Sequence, residues 1–243
     1  MKKVKEANGI RTYETNWEER TNKYTFNQEL IFPRNTYNPW YDDKEFMDIY
    51  SKHVRPNTLV DIYRCYELWA ISKRLKDTQG SILEVGVWKG GTGCILAENM
   101  NSSDSLYLCD TFSGVVKTSE KDNFYKGGEH DDVDFERVMK LFLSYDKKNI
   151  QILKGIFPDK TSKDINSKEL FKLCHIDVDA YDSAKDIFEW VWPKTIRNGY
   201  IIFDDYGFAS CEGITQLVNE IVNTRKDLHF IYNVNGHAIL IKK

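Results

Sequence analysis

From residue 81 onward, short apolar runs alternate with longer segments whose apolar residues follow helical spacing. The strand-like runs are 81–87, 105–109, 150–153, 173–177, 200–203, 230–234 and 238–241, and the clearest helical segments are 92–100, 133–144, 183–192 and 212–225. This alternation favours an α/β fold, with a mostly parallel sheet and helices on both faces. Only residues 235–237 separate the last two runs, which predicts a hairpin and hence an antiparallel last strand.

The part of the chain before this alternation is harder to assign. Helical spacing over 42–53 and 58–76 predicts two helices before the sheet, whereas residues 1 to about 40 are polar and aromatic without a clear period. The length of 243 residues fits one elaborated domain. We divide the chain into an N-terminal arm and helix over 1–57, expected to contact substrate or a second copy, and a principal domain over 58–243.

Composition excludes several classes of partner. The formal charge of -3 is nearly balanced and basic residues alternate with acidic ones, so nucleic acid is not an expected partner. The five cysteines form no CxxC pair, which indicates reduced thiols and a cytoplasmic protein. No apolar run has the length of a signal peptide core or a membrane span, so no membrane partner is expected.

Two apolar runs stop at pairs of carboxylates: Asp177 and Asp179 follow one, and Asp204 and Asp205 follow the other. Parallel strands bring such ends to one crevice, where the charges repel unless a cation or shared protons compensate. Hard oxygen ligands favour Mg²⁺, with Mn²⁺ or Ca²⁺ as alternatives, over Zn²⁺. His175 lies on the same strand face but deeper, and we interpret it as a hydrogen-bonded core histidine rather than a ligand.

A glycine-rich turn over 84–93 follows the first predicted strand and opens the first crossover helix. Glycines there allow a ligand to approach the backbone closely. Asp110 ends the second predicted strand, where a carboxylate can accept both hydroxyls of a ribose. A glycine-rich connection and a surface turn would explain each feature separately, but together they favour a nucleoside cofactor.

These residues resemble the macrocin O-methyltransferase family of class I methyltransferases, which depend on S-adenosylmethionine (SAM). The matching motifs occur in order at 84–91, 110–114, 154–157, 177–181, 199–206 and 211–213. The resemblance implies a Rossmann-like class I methyltransferase sheet preceded by an N-terminal helical extension. The chain departs from the family pattern at Lys89, at 197–199 and in the last strand, which lacks a tryptophan often found there. These departures affect substrate identity and interfaces rather than cofactor binding.

By this resemblance Glu84, Gly86 and Gly91 line the amino-acid portion of SAM, and Asp110 holds the ribose. Ile156 and Phe157 flank the adenine. Tyr63 and Arg64 of the 58–76 helix either contact the cofactor, with Arg64 reaching its carboxylate, or pack in the core. The complete set expected at the cofactor is Tyr63, Arg64, Glu84, Gly86, Gly90, Gly91, Asp110, Thr111, Phe112, Ser113, Gly155, Ile156, Phe157 and Asp177.

The resemblance assigns Asp177, Asp204 and Asp205 to a metal ion and Asp179 to the general base. An alcohol holds its proton with a pKa near that of water, about 15.7, far above that of an ordinary Asp, so a metal is needed beside the base. Catechol-type relatives carry a lysine where this chain has Ala180, which favours a sugar-type hydroxyl over a phenol. The alternatives are that Asp179 only caps the next helix and that 204–205 forms a solvated turn.

The sequence therefore predicts a metal-dependent O-methyltransferase that acts on a sugar-type small molecule and forms a homo-oligomer. Two alternatives stay open: an NAD-dependent oxidoreductase on a similar fold, and a methyltransferase-like binding protein without activity. His130 lies in a long connection able to close over substrate, where it is either a substrate contact or an ordinary exposed histidine.

Overall fold

The computed structural model describes residues 4–7, 10–13, 37–144 and 149–243. The chain divides into two compact units, residues 1–34 and 35–243. In the first unit, strands β1 (Val4–Ala7) and β2 (Ile10–Tyr13) form an antiparallel hairpin. The rest of the arm predicted over 1–40, as far as residue 36, lies outside the described residues.

The second unit is built on a seven-stranded sheet with the order β5-β4-β3-β6-β7-β9-β8. Only β9 runs antiparallel to its neighbours, which confirms the predicted topology. The chain leaves β3 toward one edge of the sheet and returns at β6 toward the other, so the two neighbours form a topological switch point. The strands are β3 (Ser81–Val85), β4 (Leu106–Asp110), β5 (Ile150–Lys154), β6 (Phe171–Ile176), β7 (Thr195–Phe203), β8 (Leu228–Tyr232) and β9 (Ala238–Lys242).

Six α-helices are described, each close to a predicted segment. They are α1 (Lys44–Ile49), α2 (Ile62–Arg74), α3 (Gly91–Asn99), α4 (Phe135–Leu143), α5 (Tyr181–Val191) and α6 (Glu212–Thr224). The helix expected from residue 58 begins later because the side chain of Asp61 caps it, accepting hydrogen bonds from the amides of Tyr63 and Arg64. After α1 the chain continues as a π-helical turn over Tyr50–Val54.

The helices cover both faces of the sheet, as predicted. Apolar residues of α5 and α6 pack on one face against Leu83 and Val85 of β3. Helices α1 to α4 cover the other face, where Ile82 of the same strand joins their cluster. Alternation along the strand therefore directs Glu84, between these apolar residues, toward the face that α2 and α3 cover.

All five cysteines are buried free thiols. In the part of the chain that the structure describes, no helix combines the length and apolarity that a bilayer span requires.

Candidate active site

The glycine loop after β3 is packed too closely for any side chain at Gly86. This residue has a φ of 93°, and a Cβ there would lie 1.6 Å from the carbonyl oxygen of Asp177. Gly90, with a φ of 91°, immediately precedes α3, and a Cβ on Gly91 would lie 2.7 Å from the carbonyl oxygen of Asn57. Glycine at position 86 brings the loop against the end of β6, where the acidic cluster begins.

Asp110, at the end of β4, organises this loop through hydrogen bonds. Its Oδ2 accepts from the amides of Val87 at 2.7 Å and Trp88 at 2.8 Å, and its Oδ1 accepts from the amide of Phe112 at 2.6 Å. Three amide donors stabilise the charged carboxylate and fix its direction. Asp110, which is predicted to hold the ribose, therefore also determines the shape of the turn.

A cavity of about 330 Å³ opens at the switch point, between the glycine loop and the acidic strand ends. Several residues expected at the cofactor line it: Arg64, Gly86, Asp110, Thr111, Gly155, Phe157 and Asp177. The others expected there lie outside this lining: Tyr63, Glu84, Gly90, Gly91, Phe112, Ser113 and Ile156. Tyr63 is half-exposed beside Trp40. Glu84 is fully buried because its side chain lies on the face of the sheet that α2 and α3 cover.

The four acids predicted at the strand ends line the same cavity. Carboxylate oxygens of Asp177, Asp204 and Asp205 lie within 4.8 Å of one another. Backbone bonds position two of them, because the amide of Asp177 donates to Val85 and that of Asp204 to Ile176, each at 2.9 Å. The extended hydrogen-bond ladder of the sheet thus brings the acids together.

Two of these acids have an uncommon backbone conformation. Asp179 has a φ of 61° and Asp205 a φ of 60°, in the left-handed region that side chains other than glycine, asparagine and aspartate seldom adopt. Such positions cluster at functional sites, where the surrounding structure maintains them. Asp179 therefore leaves the strand direction of Asp177, and an oxygen of its carboxyl falls within a 4.8 Å group with an oxygen of Asp205 and the thiol of Cys211.

Comparison with known proteins identifies the family of this chain. The model of the macrocin-O-methyltransferase (TylF) family matches residues 58–243. The chain belongs to this family. It is therefore an O-methyltransferase, and the oxidoreductase and inactive-protein alternatives are not supported.

Individual relatives are distant. The chain is 25% identical over 193 residues to mycinamicin III 3''-O-methyltransferase of Micromonospora griseorubida, covering 72% of each chain. It is also 25% identical over 193 residues to 8-demethyl-8-(2,3-dimethoxy-alpha-L-rhamnosyl)-tetracenomycin-C 4'-O-methyltransferase of Streptomyces olivaceus, covering 69% of this chain and 73% of the relative. The structure of the O-methyltransferase NovP superposes with a TM-score of 0.65 at 21% identity, over 77% of this chain and 82% of that one. The structural likeness shows the shared fold.

In this family member Arg64 lies against the acidic cluster. Its Nη1 is 2.5 Å from Oδ1 of Asp204 and 3.1 Å from Oδ1 of Asp205, while its Nε donates to Asp61 at 2.9 Å. The guanidinium also stacks over the ring of Phe208. The sequence predicted this arginine at the cofactor carboxylate, whereas in the structure it neutralises part of the acidic cluster.

The acids have different proton affinities. Burial, and then repulsion from Asp204 and other neighbouring acids, raise the pKa of Asp177 and Asp205. Although burial opposes it, the contacts of Asp204 with His237 and Arg64 lower its pKa below the usual range. Without a cation, Asp177 and Asp205 therefore favour their protonated forms, and a bound cation would offset the repulsion that raises their pKa.

Sequence reasoning missed two neighbours of Asp179. Cys211 places its thiol 3.6 Å from Oδ1 of Asp179, and Tyr125 contacts the same carboxyl through its hydroxyl. Tyr125 also lies 3.3 Å from Nε2 of His130, so the long connection after β4 reaches the acid. Two features of the sequence could have indicated these neighbours. Cys211 lies in a motif shared with the family, and Tyr125 precedes the glycines at 127–128.

Sequence reasoning also missed His237, which follows the final turn. It is fully buried, and its Nδ1 lies 2.6 Å from Oε2 of Glu67. His175 is equally buried, and its Nδ1 lies 3.0 Å from Oε1 of Glu84, consistent with a hydrogen-bonded core histidine. No sequence spacing connects these two pairs, because strand order and the packing of α2 on the sheet bring their residues together.

Proposed function

We propose that this protein transfers the methyl group of SAM to a hydroxyl of a sugar-type acceptor with the help of a divalent metal ion. The observation that carries the proposal is that one cavity is lined by both the glycine loop and four acids. Acceptors of this class include a natural-product sugar, a nucleotide sugar and a glycan unit. The two relatives, named as O-methyltransferases of mycinamicin III and of a rhamnosyl-tetracenomycin, support this class.

For SAM, the proposal keeps the placement expected from the family. Gly86 allows the amino-acid portion to approach the loop, Asp110 holds the ribose and Phe157 flanks the adenine, while Thr111 and Gly155 also contact the cofactor. All five residues line the cavity. Asp110 can serve the loop and the ribose together because a carboxylate offers about four acceptor positions.

Asp177, Asp204 and Asp205 would hold the metal ion. Their oxygens form a compact donor set without sulfur, which fits Mg²⁺, with Mn²⁺ or Ca²⁺ as alternatives. When bound, such an ion lowers the pKa of the acceptor hydroxyl and orients it.

Asp179 would receive the acceptor proton. It lines the cavity beside the cluster, and burial raises the pKa of its carboxyl, which makes it a better base than an exposed aspartate. Tyr125 and Cys211 contact this carboxyl and hold its direction. The next residue, Ala180, offers no amine, so Asp179 performs the role that a lysine has in catechol-type relatives.

Turnover of SAM to S-adenosylhomocysteine with a panel of glycosides and nucleotide sugars tests the function. We expect methylated product with Mg²⁺, little product with EDTA, and recovery when Mg²⁺ is restored. Calorimetric titration should show micromolar binding of SAM and none of NAD. Methylation that is indifferent to EDTA, or methylation of phenols alone, would contradict the metal or the acceptor class respectively.

The assembly and domain division complete the proposal. We propose a homo-oligomer to which the arm at 1–57 contributes contacts, with residues 58–243 as the catalytic domain. Light scattering of the full chain and of a variant that lacks residues 1–34 tests this, because loss of this part of the arm should lower the measured mass per particle.

A further inference from the structure

A row of polar side chains crosses the core beneath the acidic cluster. Glu84 of β3, His175 of β6, Asp204 after β7 and His237 before β9 belong to four neighbouring strands. Strand alternation places them on one face, which they share with Ile82, Leu173, Ile202 and Ile239. All four polar residues are buried, three of them completely.

Each histidine in this row is held by a carboxylate through one ring nitrogen. Nδ1 of His175 lies 3.0 Å from Glu84, and Nδ1 of His237 lies 2.6 Å from Glu67, which α2 contributes. A carboxylate at Nδ1 keeps the proton on that nitrogen, so the lone pair of Nε2 is available. The same arrangement orients histidines that bind metals in other proteins.

The other two ring nitrogens are also buried: Nε2 of His175 has no hydrogen-bond partner, and Nε2 of His237 faces the carboxylate of Asp204. Nε2 of His237 lies 3.1 Å from Oδ1 of Asp204, and the two rings meet edge to face with centroids 5.9 Å apart. A ligand atom from each of His175, His237 and Asp204 falls within a 4.8 Å group. Buried polar atoms are nearly always hydrogen-bonded, so the unsatisfied Nε2 of His175, which lies in this group, requires an explanation.

We propose that His175, His237 and Asp204 form a transition-metal site, distinct from the site of the three acids although Asp204 belongs to both. Two imidazoles and a carboxylate suit Zn²⁺, Fe²⁺, Co²⁺ or Ni²⁺, whereas Mg²⁺ prefers oxygen ligands alone. Glu67 and Glu84 act as positioning residues that orient the two imidazoles.

Charge supports a cation at this place. Glu67, Glu84 and Asp204 bring three carboxylates to the row, and the guanidinium of Arg64 contacts only the last of them. A proton on Nε2 of His237 could face Asp204, but it would leave Nε2 of His175 without a partner. A divalent ion satisfies both nitrogens and the carboxylate together.

Cobalt is the probe for this site, because Co²⁺ bound to imidazole gives visible absorption and paramagnetically shifted proton signals. The full-length protein is stripped with a chelator and titrated with Co²⁺ in excess Mg²⁺, which occupies the acidic cluster. We expect one equivalent of tightly bound Co²⁺ and two exchangeable shifted signals, from the Nδ1 protons of His175 and His237.

Variants assign the signals. His175→Gln and His237→Gln should each remove one shifted signal and weaken Co²⁺ binding by at least about 100-fold, since each removes a ligand. His229→Gln is the matched control, because this exposed histidine of β8 lies outside the row and should leave binding unchanged. Asp177→Asn should leave both signals in place, since Asp177 belongs only to the acidic cluster.

If His175→Gln and His237→Gln fail to fold, the variant Glu67→Gln still tests the proposal. Glu67 is partly exposed, and losing its charge should weaken Co²⁺ binding about 10- to 100-fold while both histidines remain. The proposal is overturned if Co²⁺ binds without shifted imidazole signals, if binding is only millimolar, or if Glu67→Gln binds as the parent does. The experiment needs neither SAM nor an acceptor, so failure here would leave the methyltransferase proposal intact.

Discussion

The glycine loop after β3 and the acidic strand ends after β6 and β7 border one cavity but are stabilised in different ways. In the loop, close backbone packing and the three amide bonds of Asp110 satisfy the polar groups locally. At the acidic ends, clustered carboxylates depend on Arg64 and His237 from distant parts of the chain. The loop should therefore respond to changes of shape, and the acidic ends to changes of charge.

The largest expected effect is on catalysis at the acidic ends. Asp179→Asn removes the proposed base while preserving the size of the side chain, so turnover should fall by about 10²- to 10⁴-fold. SAM affinity, measured by calorimetry, should change little because the glycine loop is intact. Turnover within a few-fold of the parent would show that Asp179 is not the base.

Close packing of the loop predicts the next largest effect. Gly86→Ala places a Cβ 1.6 Å from a carbonyl oxygen at a φ of 93°, and we expect a loss of about 3 kcal/mol or more in the free energy of unfolding. Gly128→Ala is the matched control, since its φ is 92° but nothing lies within 4 Å of the added Cβ. Its cost should stay near about 1 kcal/mol. Equal losses in urea unfolding would mean that strain, not close approach, dominates at Gly86.

Charge at the acidic ends predicts a dependence on pH in chelator. Burial lowers the pKa of His237, but Asp204 and Glu67 more than compensate and raise it from 6.5 to about 9. The stabilisation is complete below pH 6.5 and is lost as the pH rises through 9, so the free energy of unfolding should fall by up to about 3 kcal/mol. Asp177 and Asp205, whose pKa values are also raised, change stability in the same direction.

A series of urea unfolding curves between pH 6 and 10 measures this decline. His237→Asn should flatten it, whereas Gly128→Ala should follow the parent curve at a constant offset. A parent stability that rises over this interval would contradict the assigned charges.

The smallest predicted effect concerns the carboxylate of the loop. Asp110→Asn keeps one acceptor oxygen but turns an amide group toward backbone donors, which should cost about 1.5–3 kcal/mol of stability. Because the turn carries the proposed ribose contact, SAM binding should weaken together with stability. Weakened SAM binding at unchanged stability would instead indicate that Asp110 serves the ribose alone.

Much of the fold could be predicted because its signals are local. The alternation of short apolar runs and helical segments gave the sheet and its helices, and the short link at 235–237 gave the antiparallel pair β8 and β9. Strand limits were less accurate: β7 begins at Thr195 rather than 200, because Thr195 already pairs with Phe171 before a register irregularity that precedes Tyr200. The pattern of apolar residues does not show where a strand continues into polar residues.

The residues of the candidate site also fall into a part that could be predicted and a part that could not. Its acids and glycines could be named because motifs fix both their identity and their position at the strand ends. The placement of Arg64 and Glu84 could not, because the direction of each side chain depends on what packs over its face. Arg64 reaches across 140 residues of sequence to Asp204, and no spacing predicts that contact.

The sequence by itself determined the strand and helix order, the glycine loop, the acidic strand ends and the family they indicate. Each of these depends on patterns among residues that are close together in the sequence. Only the tertiary structure decided that Glu67, Glu84, His175, His237 and Asp204 share one buried row. Strand order, register and the seating of α2 bring these residues together, and these depend on packing across the whole sheet.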